Sequence, residues 1–160
     1  TVDTTYESLV LEIEQAFSDS EYPEDKIVNN LNIEESEELA EAFSGKHWKD
    51  VSEEMTHHYR INLPRFTPEA FRYYLPAFLT TSLRTTIDSP YYGGVDEQIF
   101  LNLMPPEDDI ERKNFALLVQ GFSEMQVNVI RKYLRLFLVT NPYYQKLYGR
   151  KVEEFWKLDD

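Results

Sequence analysis

An all-α, single-domain irregular helical bundle is the fold that this 160-residue sequence predicts. Three observations carry that expectation. Apolar residues recur at three- and four-residue steps along several segments, which sets them on one face of a helix. Hydroxyl and acidic residues with a Glu or Gln three places later stand where those segments begin, the pattern that caps helix N-termini. Apolar and polar residues alternate nowhere for more than a few residues, so the strand period is missing. A chain of this length buries about 70% of the surface it exposes when unfolded, and 11 Tyr, 10 Phe and 2 Trp supply bulky core material.

The first helix spans Thr4 to Phe17, with Tyr6, Leu9, Val10, Ile13 and Phe17 on one face and Thr4 with Glu7 as its capping box. Residues 18–32 are polar and turn-rich, a loop with one short helical turn around Ile27 and Val28. The acids of this loop lack the alternating spacing, central Gly and closing Glu of an EF-hand, so no calcium site follows. A second helix runs from Glu34 to Phe43 and stops at Gly45. It sets Glu34, Glu35, Glu37, Glu38 and Glu41 around a stripe of Leu39, Ala42 and Phe43.

All three histidines fall between Lys46 and Tyr59. Asp50 and Glu53 form a second capping box there, which predicts a helix from about Val51 to Tyr59, and Trp48 anchors the segment in the core. Glu54 and His57 stand three apart on that helix, the Glu-x-x-His spacing of carboxylate-bridged metal bundles. Such sites need further ligands, which here come down to His47, His58 or a second chain. A metal site on Glu54, His57, His47 and His58 is therefore the alternative to histidines that simply pair with neighbouring carboxylates.

The densest apolar stretch, about residues 67–84, predicts the central helix. Thr67 caps it and Pro68 takes the first helical position, where its missing N–H costs nothing. Phe71, Tyr74, Leu75, Phe78, Leu79 and Ser82 share its inward face. Pro76 lies inside the helix, kinks it and leaves the Arg72 carbonyl without its usual donor, which makes Arg72 the residue of this stretch with a potential role. The run Phe71-x-Tyr73-Tyr74-Leu75-Pro76-Ala77-Phe78-Leu79 resembles the F-x-Y-Y-L-P-A-[FY]-L box of an uncharacterised bacterial family of unknown function. The resemblance extends more loosely to Trp48 and to Ser123-x-x-Gln126, and it implies a single, mainly helical domain without carrying over any chemistry.

Ser-Pro and Gly-Gly pairs make Ile87 to Gly94 a loop. A short helix follows from Asp96, its cap, to Met104, with Ile99, Phe100, Leu103 and Met104 inward, and Pro105-Pro106 ends it. Ile110, Phe115, Leu117, Leu118 and Val119 form a short apolar run ending near Gly121. Ser123 and Gln126 form a third capping box and open the second long helix, about 124–140, on Val127, Ile130, Leu134, Phe137 and Leu138. Arg131, Lys132 and Arg135 cluster on its far side and are expected to pair with the acidic N-terminal half. The tail from Tyr143 to Leu158 makes a last short helix.

Charge carries the functional expectation. The net charge is −13, and residues 1–59 hold 16 Asp/Glu against three Lys/Arg, whereas residues 60–160 hold 13 of each. Such a field repels phosphate backbones and anionic membrane surfaces and attracts a basic partner. No cofactor is predicted: Gly93-Gly94 lacks the Lys and Ser/Thr of a phosphate loop, and the hydrolase, zinc-protease and dinucleotide motifs are missing. The chain holds no Cys, which suits a reducing compartment, and no apolar run nears the ~18 residues of a membrane helix. A start at Thr1 reads as a trimmed or processed N-terminus. The expectation is a cytoplasmic interaction module whose acidic face, Glu34, Glu35, Glu37, Glu38 and Glu41, meets a basic protein. A metal-dependent enzyme on the Glu54–His57 helix is the alternative.

Overall fold

The computed structural model describes residues 4–24, 26–29 and 34–158. Among these residues the secondary structure is helical throughout, as predicted. In chain order the helices are α1 (Thr4–Ala16), α2 (Glu34–Phe43), α3 (Glu53–His58), α4 (Pro68–Arg84), α5 (Val95–Leu103), α6 (Asp109–Gln120), α7 (Glu124–Thr140) and α8 (Pro142–Trp156), with 3₁₀ turns at Trp48–Asp50 and Arg60–Arg65. Strand pairing among the described residues is limited to one antiparallel bridge, Val28 to Phe66.

Helix α4 is the centre of the bundle. It packs against α1, α3, α5, α6 and both 3₁₀ turns. Between Ala70 and Thr80 every residue except Arg72 is buried, so the helix is apolar nearly all round rather than on one face. Burying each large side chain of that run stabilises the fold by about 1.5–3 kcal/mol. The start is as the sequence predicts, with Pro68 in the first turn and Thr67 Oγ1 accepting from the Ala70 N–H at 3.2 Å. The helix passes through Pro76 without ending. Around it Phe43, Phe66, Tyr74 and Phe78 form a cluster of edge-on and stacked rings, with Phe43 and Tyr74 4.9 Å apart. The other long helix, α7, packs on α1, α5 and α8 and opens on the predicted Ser123–Gln126 capping box.

Several local expectations are corrected. Ile27 and Val28 form an extended bridge instead of a helical turn, because Thr67 N donates to the Ile27 carbonyl (3.0 Å) and Asn29 N to that of Arg65 (2.9 Å). Asp50 does not cap α3. It closes a 3₁₀ turn, and Ser52 caps the helix by accepting from the Met55 N–H at 3.2 Å. Helix α5 begins at Val95 behind Gly94, whose φ of 86° needs a glycine, so Asp96 lies inside the first turn. In α6 only Phe115 is buried; Ile110 and Leu117 point to solvent. The side chain of Thr4, and with it the Thr4–Glu7 cap, lies outside the described residues.

The last carbonyls of a helix lack intrahelical donors, and here side chains supply them, mostly from other elements. Trp48 Nε1 donates to the Phe17 carbonyl just past α1 (3.2 Å), Tyr74 Oη to that of Phe43 in α2 (2.7 Å) and Trp156 Nε1 to that of Leu103 in α5 (2.7 Å). Arg72 serves α6 through the Leu118 carbonyl at 3.1 Å. Its guanidinium crosses Gly121, where a Cβ would stand 2.4 Å from Arg72 Cζ. The role of Arg72 in the fold is thus carried by its side chain. Arg131 and Arg135 donate to the Trp156 and Leu158 carbonyls at 2.7 and 2.8 Å and hold the end of α8. Cations there also suit the negative end of the helix dipole. Among the described residues, of the three cations on α7 only Lys132 pairs with the acidic half, at Glu12 (2.8 Å).

Candidate functional site

Helix α2 buries Ser36, Leu39 and Phe43 and turns all five glutamates outward. Two of them have positive or ionisable partners. Glu35 pairs with Arg65 at 2.8 Å, and Glu38 faces His58 at 3.6 Å and accepts from Tyr59 Oη at 3.3 Å. Glu34, Glu37 and Glu41 form no ion pair among the described residues. The field reaches the neighbouring phenol: burial first, then the charges of Glu38 and Glu41, push the Tyr59 hydroxyl above its ordinary range. Elsewhere in the acidic half Glu12 pairs with Lys132 and Glu14 with Arg84. The outer row of α2 is thus the densest run of exposed carboxylates in that half, five within eight residues.

The histidines go to three different neighbours. His47 accepts from the Lys49 N–H at 3.1 Å and lies against Trp48 and Tyr73; His57 lies beside Tyr91; His58 faces Glu38. Glu54 is exposed. Among the described residues no three His, Asp or Glu side chains are placed to hold a metal ion.

A second feature is a groove of about 1040 Å³ bounded by α1, the end of α4, the start of α5 and α7. Tyr6, Tyr92 and Phe137 give it aromatic walls, and Ser82, Tyr133 and Asp96 give it a polar floor. Ser82 Oγ and Tyr133 Oη are 2.8 Å apart and join α4 to α7. Ser82 also lies 2.8 Å from the Leu79 carbonyl and donates its single proton there, so Tyr133 is the donor to Ser82. Tyr133 is buried, and that burial, with the charge of Asp96 nearby, holds its phenol well above the ordinary range. Burial also raises the Asp96 carboxyl, against the opposing hydrogen bond from the Glu97 N–H at 3.0 Å.

A family model described as a family of unknown function, DUF6714, matches residues 5–159. The chain belongs to the DUF6714 family. No curated protein and no solved structure matches it. In this DUF6714 chain no helix among the described residues is long and apolar enough to cross a membrane.

Sequence reasoning set the five glutamates on the outer face of a helix, where the structure of this DUF6714 protein has them, and missed the groove. Ser82 appeared as one more residue of the core face, and Asp96 as a cap. The available clue was a hydroxyl at a core position of one long helix and a tyrosine, Tyr133, on the inner side of the other. That α4 and α7 bring them together is a tertiary fact with no local trace.

Proposed function

We propose that this DUF6714 chain is a protein-interaction module whose acidic N-terminal part, centred on the outer row of α2, binds a basic protein partner. The observation that supports this is the density of exposed carboxylates on α2, five within eight residues, of which Glu34, Glu37 and Glu41 take part in no ion pair among the described residues. Three carboxylates within two helical turns weaken the helix slightly by repulsion, and a basic surface offsets that cost. The attraction acts over about 8–10 Å at physiological salt, so it speeds encounter and fades as salt rises.

The test is affinity capture at low and high salt with the wild type and with the triple variant Glu34→Lys, Glu37→Lys, Glu41→Lys. Reversal of Glu111 and Glu154, exposed acids on α6 and α8, is the control. One basic protein should be held by the wild type and the control at low salt, released at high salt and lost by the triple variant. Capture that survives the triple reversal, or no capture at low salt, refutes the proposal.

A further inference from the structure

Five polar residues of the α1–α4–α7 groove, Ser82, Thr85, Tyr133, Thr140 and Asn141, share a property: their protons are already committed to the protein. Ser82 donates to the Leu79 carbonyl (2.8 Å), Thr85 to that of Thr81 (2.6 Å) and Thr140 to that of Leu136 (2.9 Å). Asn141 spends its amide protons on the Phe137 carbonyl (2.8 Å) and Thr140 Oγ1 (3.2 Å), and Tyr133 donates to Ser82. Arg84, the cation on the groove's rim, is held by Glu14 on α1. What these groups leave open is oxygen lone pairs. The floor of the groove is therefore richer in acceptors than in donors, while the hydroxyls of Tyr6, Thr86 and Tyr92 on its walls can serve as either.

The charge has the same sense. Asp96 takes no part in any ion pair among the described residues. Its hydrogen bond comes from the Glu97 backbone, and the Glu97 carboxylate beside it adds to the negative field instead of balancing it, as does Glu7 elsewhere on the groove. A partly buried carboxylate without a cation is costly. It gains from a ligand that brings a positive charge, and ring faces at Tyr6, Tyr92 and Phe137 favour a cation with an apolar body.

We propose that this groove binds a small organic cation, a primary ammonium on an apolar or aromatic body, with the Asp96 carboxylate and the Tyr133 hydroxyl oxygen as its principal acceptors. A neutral alcohol of the same shape carries fewer donors and no charge, and an anion is repelled by Asp96 and Glu97. The site lies apart from the α2 row in sequence and surface, and it does not depend on the partner proposed above.

Isothermal titration of the full chain at neutral pH with 2-phenylethylamine, 2-phenylethanol and phenylacetate tests this. The amine should bind saturably and at least about tenfold more tightly than the alcohol or the carboxylate, a factor that corresponds to 1.4 kcal/mol. Asp96→Asn should reduce amine binding to the level of the alcohol and leave the alcohol unchanged. Tyr133→Phe should weaken the amine severalfold, and it supplies the test if the Asp96 variant does not fold; circular dichroism checks each variant. Glu34→Lys, Glu37→Lys, Glu41→Lys should bind the amine like the wild type, which separates a built site from general acidity. The proposal is overturned by equal binding of amine and alcohol, by undiminished amine binding in Asp96→Asn, or by no saturation up to about 1 mM, a Kd worth roughly 4 kcal/mol.

Discussion

Replacing Tyr74 by Phe isolates one of the cross-helix bonds on which the bundle rests. Tyr74 is fully buried, and its hydroxyl lies 2.7 Å from the Phe43 carbonyl and 2.8 Å from that of Lys46, so one proton is shared by two acceptors. Tyr74→Phe keeps the ring and its edge-on packing against Phe43 but leaves both carbonyls without that donor. Phe43 retains the Lys46 N–H at 3.0 Å, so only Lys46 loses its partner outright. Losing the donor shared by the buried Phe43 carbonyl and the part-buried Lys46 carbonyl costs about 1–2 kcal/mol. For a chain of this size that lowers Tm by about 2–8 °C. Urea unfolding should show a lower midpoint with unchanged slope. Tyr73→Phe is the matched control, since Tyr73 Oη only accepts a long 3.4 Å contact from the Trp48 N–H, and it should cost less. A loss below about 0.5 kcal/mol for Tyr74→Phe, or a larger loss for Tyr73→Phe, refutes the reasoning. Burial also holds the Tyr74 phenol far above its ordinary range. Its contribution is thus complete below the unfolded pKa of about 10 and is lost as pH climbs beyond it. The stability gap between wild type and Tyr74→Phe should narrow accordingly in alkali.

Asp96→Asn should melt higher than the wild type at pH 7. The folded Asp96 carboxyl is raised by burial, so its ionised form costs stability as pH rises above the unfolded value of about 3.9, and Asn still accepts from the Glu97 N–H. The gain should vanish below about pH 4, and a variant that melts lower at neutral pH contradicts the burial argument. Gly121→Ala forces Arg72 off the Leu118 carbonyl. A charge-assisted bond of about 1.5–3 kcal/mol is lost against a gain of about 0.4–1 kcal/mol from a stiffer unfolded chain, for a net loss of about 1–2 kcal/mol. In a double-mutant cycle Gly121→Ala should cost nothing in the Arg72→Ala background, and additive losses would rule out this contact as the cause. Arg131→Ala with Arg135→Ala should raise amide hydrogen exchange at the end of α8 while leaving that of α4 unchanged.

What was legible in the sequence follows from which interactions are local. The Thr67–Pro68 start and the Ser123–Gln126 box were found because all the atoms involved lie within one turn. The acidic row was found for the same reason: charge at helical spacing needs no partner to be recognised. Misplaced starts such as Asp50 for Ser52, or Asp96 for Gly94, come from several polar residues competing for one cap. The chain's course through 3₁₀ turns or a left-handed glycine then decides among them. The bridge at Val28 is a different failure, since its backbone bonds join Asn29 to Arg65 and Thr67 to Ile27, far apart in the sequence.

The helix ends and the groove share one physical reason for being hidden. Periodicity marks the apolar face of a helix, yet the carbonyls at its C-terminus must be met by whatever donor the packed neighbour offers. In this chain the neighbours are Trp48, Tyr74, Trp156 and a set of arginines, each reaching 23 residues or more along the sequence. Such residues look like ordinary core aromatics or surface cations until the helices are assembled. The same step creates the groove. Once Ser82, Thr85, Thr140 and Asn141 have given their protons to carbonyls of α4 and α7, their oxygens are what remains facing the space beside Asp96. Satisfying the helix ends thus sets the hydrogen-bonding sense of the cavity floor, which offers a ligand more acceptors than donors.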